Sequence, residues 1–255
     1  IAQELCQSSF EPAAFELEMR NGGEFPPLTI SLPSGGSVTV EGKIDRMDLA
    51  EINGEKYVRI VDYKTGKKEF RLSDVLYGVN MQMLIYLAAI IERGSCRPAG
   101  ILYMPANRPI VPAERGAAPE AVQKEVDKRL RMNGLLLEDA DVVRAMEPAG
   151  AGKYIPVPLK NGEIPKTESA VKEAEMERLL RFVKGTVAGM AETLYRGDVR
   201  AQPLKGELDA CAWCPYFAVC GHERDDGGTD YSHCAKLEAL KTIEKLEGGE
   251  PDGQP

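Results

Sequence analysis

Polar and apolar residues trade places along the first quarter of this chain with the period of two that a strand requires. Leu28-Thr29-Ile30-Ser31-Leu32 alternates, Pro33-Ser34-Gly35-Gly36 turns, and Ser37 to Ala50 alternates again as a long strand. Asn53-Gly54 follows, a dipeptide that accepts positive φ at both central positions of a tight hairpin, and Lys56 to Lys64 reads as the returning strand. Three successive antiparallel strands are predicted. Upstream, Ile1 to Cys6 reads as helix and the stretch around Phe10-Glu11-Pro12 as extended or irregular.

The period then lengthens. Ser73 is a predicted N-cap, with Asp74 in the first turn of a helix running to about Arg93. Its positions are apolar almost all round, so sheet and other helices should cover it on most sides. Gln82 and Tyr86 stand four apart and share one face of it. Gly94 ends the helix, and Gly100 to Tyr103 reads as a further strand. The order β-β-β-α-β gives an α/β class with a mixed central sheet flanked by helices.

Pro105 to Pro119 is a polar loop, Glu120 to Asn133 an amphipathic helix and Asp139 to Met146 a shorter one. Lys153 to Lys166 holds Asn161-Gly162 and reads as a small hairpin. Thr167 to about Arg196 is a long helix. Gly185 and Gly189 within it have the spacing of a membrane packing motif. The charges around them exclude that reading and point to close packing in a soluble helix. A last helix runs from Ala235 to Leu246, and Gly248 to Pro255 reads as a disordered polar tail. The domains expected are a core over 1–205, a cysteine segment over 206–234, and the terminal helix and tail over 235–255.

Composition changes this picture little. Hydrophobic residues make up 43% and charged ones 28% of 255 positions, ordinary for a soluble chain long enough to bury a large core. The apolar run Met83 to Ile91 is too short to span a bilayer, and no signal peptide precedes the first strand, so a reducing, cytoplasmic setting is expected. The net charge of −8 gives no global attraction to nucleic acid. A local basic strip at Lys67, Lys68 and Arg71, after Lys64, is one place where phosphates would be held.

Candidate chemistry gathers at the hairpin. Asp45 lies on its first strand, and Asp62-Tyr63-Lys64 ends its second. Asp62 and Lys64, two apart, point to one face. Two carboxylates offer hard oxygen ligands for Mg²⁺ or Mn²⁺, the Tyr63 carbonyl offers another, and Lys64 supplies a cation for developing charge. Gln82 and Tyr86 would hydrogen-bond a phosphate or orient Lys64 and a water. A surface salt bridge is the alternative reading of Asp62 and Lys64 alone.

Three blocks together are more specific. Gly42-Lys43-Ile44-Asp45-Arg46, then Asp62-Tyr63-Lys64-Thr65-Gly66, then Gln82-Met83-Leu84-Ile85-Tyr86-Leu87-Ala88 resemble the RecB-type branch of the PD-(D/E)xK nucleases. The resemblance implies a restriction-endonuclease-like core and Mg²⁺ or Mn²⁺ held by Asp45, Asp62 and the Tyr63 carbonyl. It also implies that Lys64 activates water, with Gln82 and Tyr86 completing the site. That family carries an upstream helical His ligand. The histidines here, His222 and His233, lie far downstream, so the ligand is expected ahead of Ile1.

Cys211-x2-Cys214-x5-Cys220 has the close spacing of metal ligands, for zinc or an iron–sulfur cluster. Trp213, Pro215, Tyr216 and Phe217 would form an apolar shell around it. The run from Cys211 to Cys220 resembles the C-terminal part of the 4Fe-4S motif in the AddB component of AddAB-type helicase–nucleases. There the fourth cysteine lies far upstream, and it is expected outside this chain. Zinc with His222 as substitute ligand stays open, and Cys234 is a weak further candidate.

The resemblance implies a metal-dependent DNA exonuclease within a helicase–nuclease that processes double-strand ends for repair. It implies an AddA-like partner carrying the motor and a second nuclease, with this subunit cutting the 5′-terminated strand. No Gly-x4-Gly-Lys-Ser/Thr loop occurs in the sequence, so ATP hydrolysis is not expected of it. A stand-alone RecB-like single-strand exonuclease and a non-catalytic DNA-binding module are the competing readings.

Overall fold

In the computed structural model, which describes residues 2–66, 68–94, 96–220, 222 and 231–248, a short helix, α1 (Ala2–Gln7), leads into strand β1 (Glu11–Met19). The second half of β1, Phe15-Glu16-Leu17-Glu18-Met19, alternates apolar and polar, a signal that the reading of Phe10-Glu11-Pro12 as extended or irregular does not follow. A register shift between Pro12 and Ala14, and a positive φ of 52° at Glu16, interrupt the strand. β1 forms the edge of the central sheet, antiparallel to β4 (Gly42–Ile52).

The three-strand expectation needs correcting here. β2 (Leu28–Ser31) and β3 (Ser37–Val40) pair only with each other, as a separate two-stranded sheet. The long strand expected from Ser37 to Ala50 breaks at Glu41, which frees β4 to turn into the main sheet.

The hairpin itself forms as its turn chemistry demands. Asn53 and Gly54 take φ of 54° and 83°, and Ile52 stands opposite Glu55, the first residue of β5 (Glu55–Lys64). The chain then crosses through helix and returns in parallel beside β5 as β6 (Cys96–Pro105). The crossover is two helices, α2 (Leu72–Val75) and α3 (Gln82–Arg93), not one. Gly78 and Asn80 adopt φ of 74° and 60°, which no helix continues through. Ser73 therefore does not cap; Arg71 holds the N-cap position of α2.

Helix α4 (Pro119–Leu130) precedes β7 (Asn133–Leu137), a short buried strand that the apolar pattern does not distinguish. Helix α5 (Ala140–Met146) is capped by Asp139, whose carboxylate accepts from the Asp141 and Val142 N–H groups. The Asn161-Gly162 turn closes a single bridge, Lys160 to Glu163. β8 (Ala170–Val171) then precedes the long helix α6 (Glu173–Tyr195).

The sheet order is β1-β4-β5-β6-β7-β8, with parallel pairs at β5–β6 and β7–β8 and antiparallel pairs elsewhere. It is the mixed α/β sheet expected. Beyond it β9 (Leu204–Gly206) pairs in parallel with β10 (Ser232–Cys234), enclosing α7 (Phe217–Cys220), and α8 (Ala239–Glu247) follows. The tail from Gly249 on lies outside the described residues.

Each sheet face has its own core. One gathers Val58, Ile60 and Ile101 under Leu84 and Leu87 of α3, Leu179 of α6 and Ile243 of α8. The other packs Tyr57, Val61 and Leu102 against Val142 and Met146 of α5. Gly185 and Gly189 do not pack closely, contrary to expectation: a Cβ at either would meet no atom within 4 Å. Among the described residues no helix is long and apolar enough to cross a membrane.

Candidate active site

The end of β5 carries the chemistry. Alternation turns Asp62 and Lys64 to one face, where the Lys64 ammonium pairs with Asp62 Oδ2. That oxygen is buried, and the Lys64 ammonium is the partner it meets there. Tyr103 stands beside Asp62 in the β5–β6 register, and Lys64 Nζ lies 5.5 Å from its ring centroid. Burial, and secondarily the charge of Asp62, push the Tyr103 phenol up to about 12. It is a neutral wall of the site.

Asp45 joins from β4. The β4–β5 ladder runs from Ile52 opposite Glu55 to Arg46 opposite Val61. Just beyond, the Asp45 carboxylate accepts the backbone N–H of Tyr63 at 2.9 Å. It therefore sits against the peptide that links Asp62 to Tyr63.

The break before α3 positions the last pair. Gln82 becomes the first residue of α3 instead of a mid-helix one, and its Nε2 donates to the Tyr86 hydroxyl at 3.0 Å. The Tyr86 phenol lies over Gly42 so closely that a Cβ there would collide with it. Gly42 is thus required by close approach, a role the sequence did not show. Asn80 holds the break in place through a 2.7 Å hydrogen bond from its Nδ2 to Asp74.

Lys64, Gln82, Tyr86, Tyr103, Lys68 and Glu41 line a cleft of about 620 Å³. Asp45 and Asp62 are not on its wall; Asp62 reaches it through Lys64. Of the expected basic strip, Lys68 lines the cleft, Arg71 turns to Asp74 at 4.0 Å, and Lys67 lies outside the described residues.

Beneath the strands is a feature that sequence reasoning missed. Arg46, Asp48, Arg59 and Glu4 are all at most 2% exposed. Arg46 Nε meets Asp48 at 2.9 Å and Arg59 Nε meets it at 2.8 Å; Arg59 also reaches Glu4 at 2.6 Å. Burial opposes the Arg46 charge, but Asp48, Tyr63 and Glu4 outweigh it and hold the guanidinium above its ordinary value.

The cysteine run is arranged differently from expectation. The Asp209 carboxylate accepts from the N–H groups of Cys211 and Ala212 and starts the turn. The shell expected over the thiols is open: Trp213 is 92% exposed, Tyr216 70% and Phe217 51%. Cys220 is exposed as well. Cys234 is buried, and its sulfur is engaged by the Leu208 backbone, accepting from N and donating to O at 3.1 and 3.3 Å. His222 packs edge-on against Tyr231, ring centroids 5.0 Å apart. Among the described residues no three His, Cys, Asp or Glu side chains converge on a common point.

The hairpin acids do fit a hard divalent cation. Two carboxylates one peptide apart, Asp62 paired with Lys64 and Asp45 on the Tyr63 N–H, are the hard oxygen donors that Mg²⁺ or Mn²⁺ selects.

Over residues 2–221 the chain matches the PD-(D/E)XK nuclease superfamily. It is similar to the B component of the ATP-dependent helicase/deoxyribonuclease of Caldanaerobacter subterraneus, 38% identical, with 100% of this chain and 23% of that protein covered. The protein of the same name from Clostridium acetobutylicum is 36% identical over 99% of this chain and 23% of its own length. That of Thermoanaerobacter sp. X514 is 39% identical over 91% and 21%. The chain spans less than a quarter of the length of these relatives.

Proposed function

From the premise that the chain belongs to the PD-(D/E)XK nuclease superfamily, we propose that it is the DNA exonuclease domain of a helicase–nuclease subunit that processes double-strand ends. The observation that carries this reading is the Lys64–Asp62 pair, with Lys64 on the cleft wall, next to the Asp45 carboxylate on the Tyr63 peptide. The relatives' names supply the setting, one component of a helicase/deoxyribonuclease. That the motor belongs to an AddA-like partner is our own inference. The setting we infer is cytoplasmic.

Asp45, Asp62 and the Tyr63 carbonyl would hold Mg²⁺ or Mn²⁺. When bound, the ion neutralises phosphate oxygens and lowers the pKa of water. The chain's own residues do the rest. Lys64, steadied by Asp62 and the Tyr103 ring, donates to the attacking water or to a phosphate oxygen. Gln82 and Tyr86, hydrogen-bonded to each other and lining the same cleft, orient the phosphate. Lys68, which lines the cleft, attracts the DNA backbone against the chain's net charge of −8.

We also propose that Cys211, Cys214 and Cys220 are cluster ligands once a fourth residue joins them, with zinc the alternative. Iron and sulfide analysis of the anaerobically purified full-length protein separates the two.

The test of the nuclease reading is Asp62→Asn in the intact complex with the partner's nuclease blocked. Strand cleavage by this subunit should vanish while ATP-driven unwinding continues. Persistent cleavage would overturn the assignment.

A further inference from the structure

Arg46 and Tyr63 each neighbour an acid of the site in sequence, and both turn to the opposite side of the strands. The Arg46 Nη1 donates to the Tyr63 hydroxyl at 3.1 Å, and its guanidinium carbon lies 5.8 Å from the ring centroid. We propose that Arg46 is a positioning residue for the metal-holding end of β5, acting through Tyr63. This inference rests on the metal-dependent nuclease reading above.

The geometry behind it is a two-sided grip. Asp45 and Arg46 are consecutive on β4. Asp45 takes the N–H of Tyr63 and Arg46 takes its hydroxyl. Tyr63 is the link between Asp62 and Lys64. Rotation of this strand end about its own axis breaks both bonds, and a one-residue slip moves Asp62 and Lys64 to the wrong face. The β5–β6 ladder holds one side of this strand end as far as Lys64, but the β4–β5 ladder stops at Arg46 opposite Val61, so on the β4 side the grip is what continues the hold past Asp62.

Arg46 is itself anchored. Its Nε is on Asp48 at 2.9 Å and its Nη2 faces Glu4 at 3.5 Å, while Arg59 ties the same two acids from β5. Two guanidinium groups and two carboxylates balance in charge and lie wholly out of water. Apolar residues of the same volume commonly stabilise a core as well as or better than such a network. What apolar side chains do not supply is direction. The ion pairs hold the Arg46 guanidinium in place beneath the strands, and its hydrogen bond goes to the Tyr63 hydroxyl.

The test uses the intact complex with the partner's nuclease blocked, and Mn²⁺ alone as probe. Mn²⁺ bound in excess of an Asp45→Asn complex is measured by electron paramagnetic resonance, beside the Mn²⁺ dependence of cleavage. Tyr63→Phe removes only the hydroxyl. It should weaken Mn²⁺ binding on the order of tenfold, raise the half-saturating Mn²⁺ for cleavage to match, leave KM for DNA unchanged, and recover kcat at saturating Mn²⁺. Arg46→Lys should behave alike. Ile60→Val, a cavity in the same strand away from the grip, should lower the melting temperature without moving the Mn²⁺ response. Wild-type Mn²⁺ affinity in Tyr63→Phe and Arg46→Lys, or an equal loss in Ile60→Val, overturns the proposal alone. Equal Mn²⁺ binding by wild type and Asp45→Asn overturns the metal reading and the proposal with it.

Discussion

The carboxylate of Asp45 holds the backbone N–H of Tyr63 at 2.9 Å, so one acid of the site fixes the peptide that carries the other. Charge and hydrogen bond are therefore separable at position 45. Asp45→Asn keeps an acceptor for the Tyr63 N–H and removes the charge. Asp45→Ala removes both. Cleavage should fall on the order of a hundredfold or more in either variant. Only Asp45→Ala should also lose stability, by about 1–2 kcal/mol, since it leaves a donor unpaired. Urea denaturation beside a nuclease assay reads both. Equal stability loss in the two variants would mean that the hydrogen bond is idle.

Gly42 and Tyr86 make a second separable contact. A methyl group on Gly42 collides with the Tyr86 phenol, which must then swing away from Gln82. Gly42→Ala should cost about 1–3 kcal/mol as overpacking and lower kcat by displacing Tyr86. Tyr86→Phe in the same background should recover part of the stability, because the clash centres on the hydroxyl, but none of the activity. No rescue of stability would mean that the strand, not the phenol, resents the methyl.

Tyr103 sets an alkaline limit. Its phenol has an ordinary value of 10.0 and is pushed up to about 12, first by burial and then by Asp62. The folded chain holds this proton more tightly than the unfolded one. The contribution is whole below pH 10 and is lost as pH rises towards 12, on the order of 2 kcal/mol in all. Tyr103→Phe removes the titration. Its stability should decline less steeply than wild type between pH 10 and 12 in denaturant melts. Parallel pH profiles for the two proteins would refute the assignment.

The site was more legible in the sequence than the fold around it. The Asn53-Gly54 turn sets the hairpin register, so the positions of Asp45 and Asp62 follow from counting. The same count puts Asp48 opposite Arg59, and period two puts Arg46 beside Asp48. The buried ion-pair network was thus readable, but charged residues on a strand are taken by default as the wet face. β1 was readable in part, from the alternation Phe15-Glu16-Leu17-Glu18-Met19, but its register was not, because a bulge after Pro12 and a positive φ at Glu16 interrupt the strand. Nor was the pairing of β2 with β3 alone, since alternation marks a strand without naming its partner. The α2–α3 break did have a signal in Gly78 and Asn80, which the continuous apolar run of the helix masked.

The two glycines of α6 invert an expectation and so invert a mutation. Close packing would make Gly185→Ala and Gly189→Ala destabilising. Instead both positions are exposed and a Cβ at either meets nothing within 4 Å. With no clash to oppose it, alanine restricts the unfolded chain and favours the helix by about 0.5–1 kcal/mol at each site. The Thr193 hydroxyl, which donates to the Gly189 carbonyl at 2.9 Å, is indifferent to a methyl on Cα. The double variant of this chain should unfold at higher urea concentration than wild type with an unchanged m-value. A lower midpoint would show that another surface packs against this stretch of α6 after all.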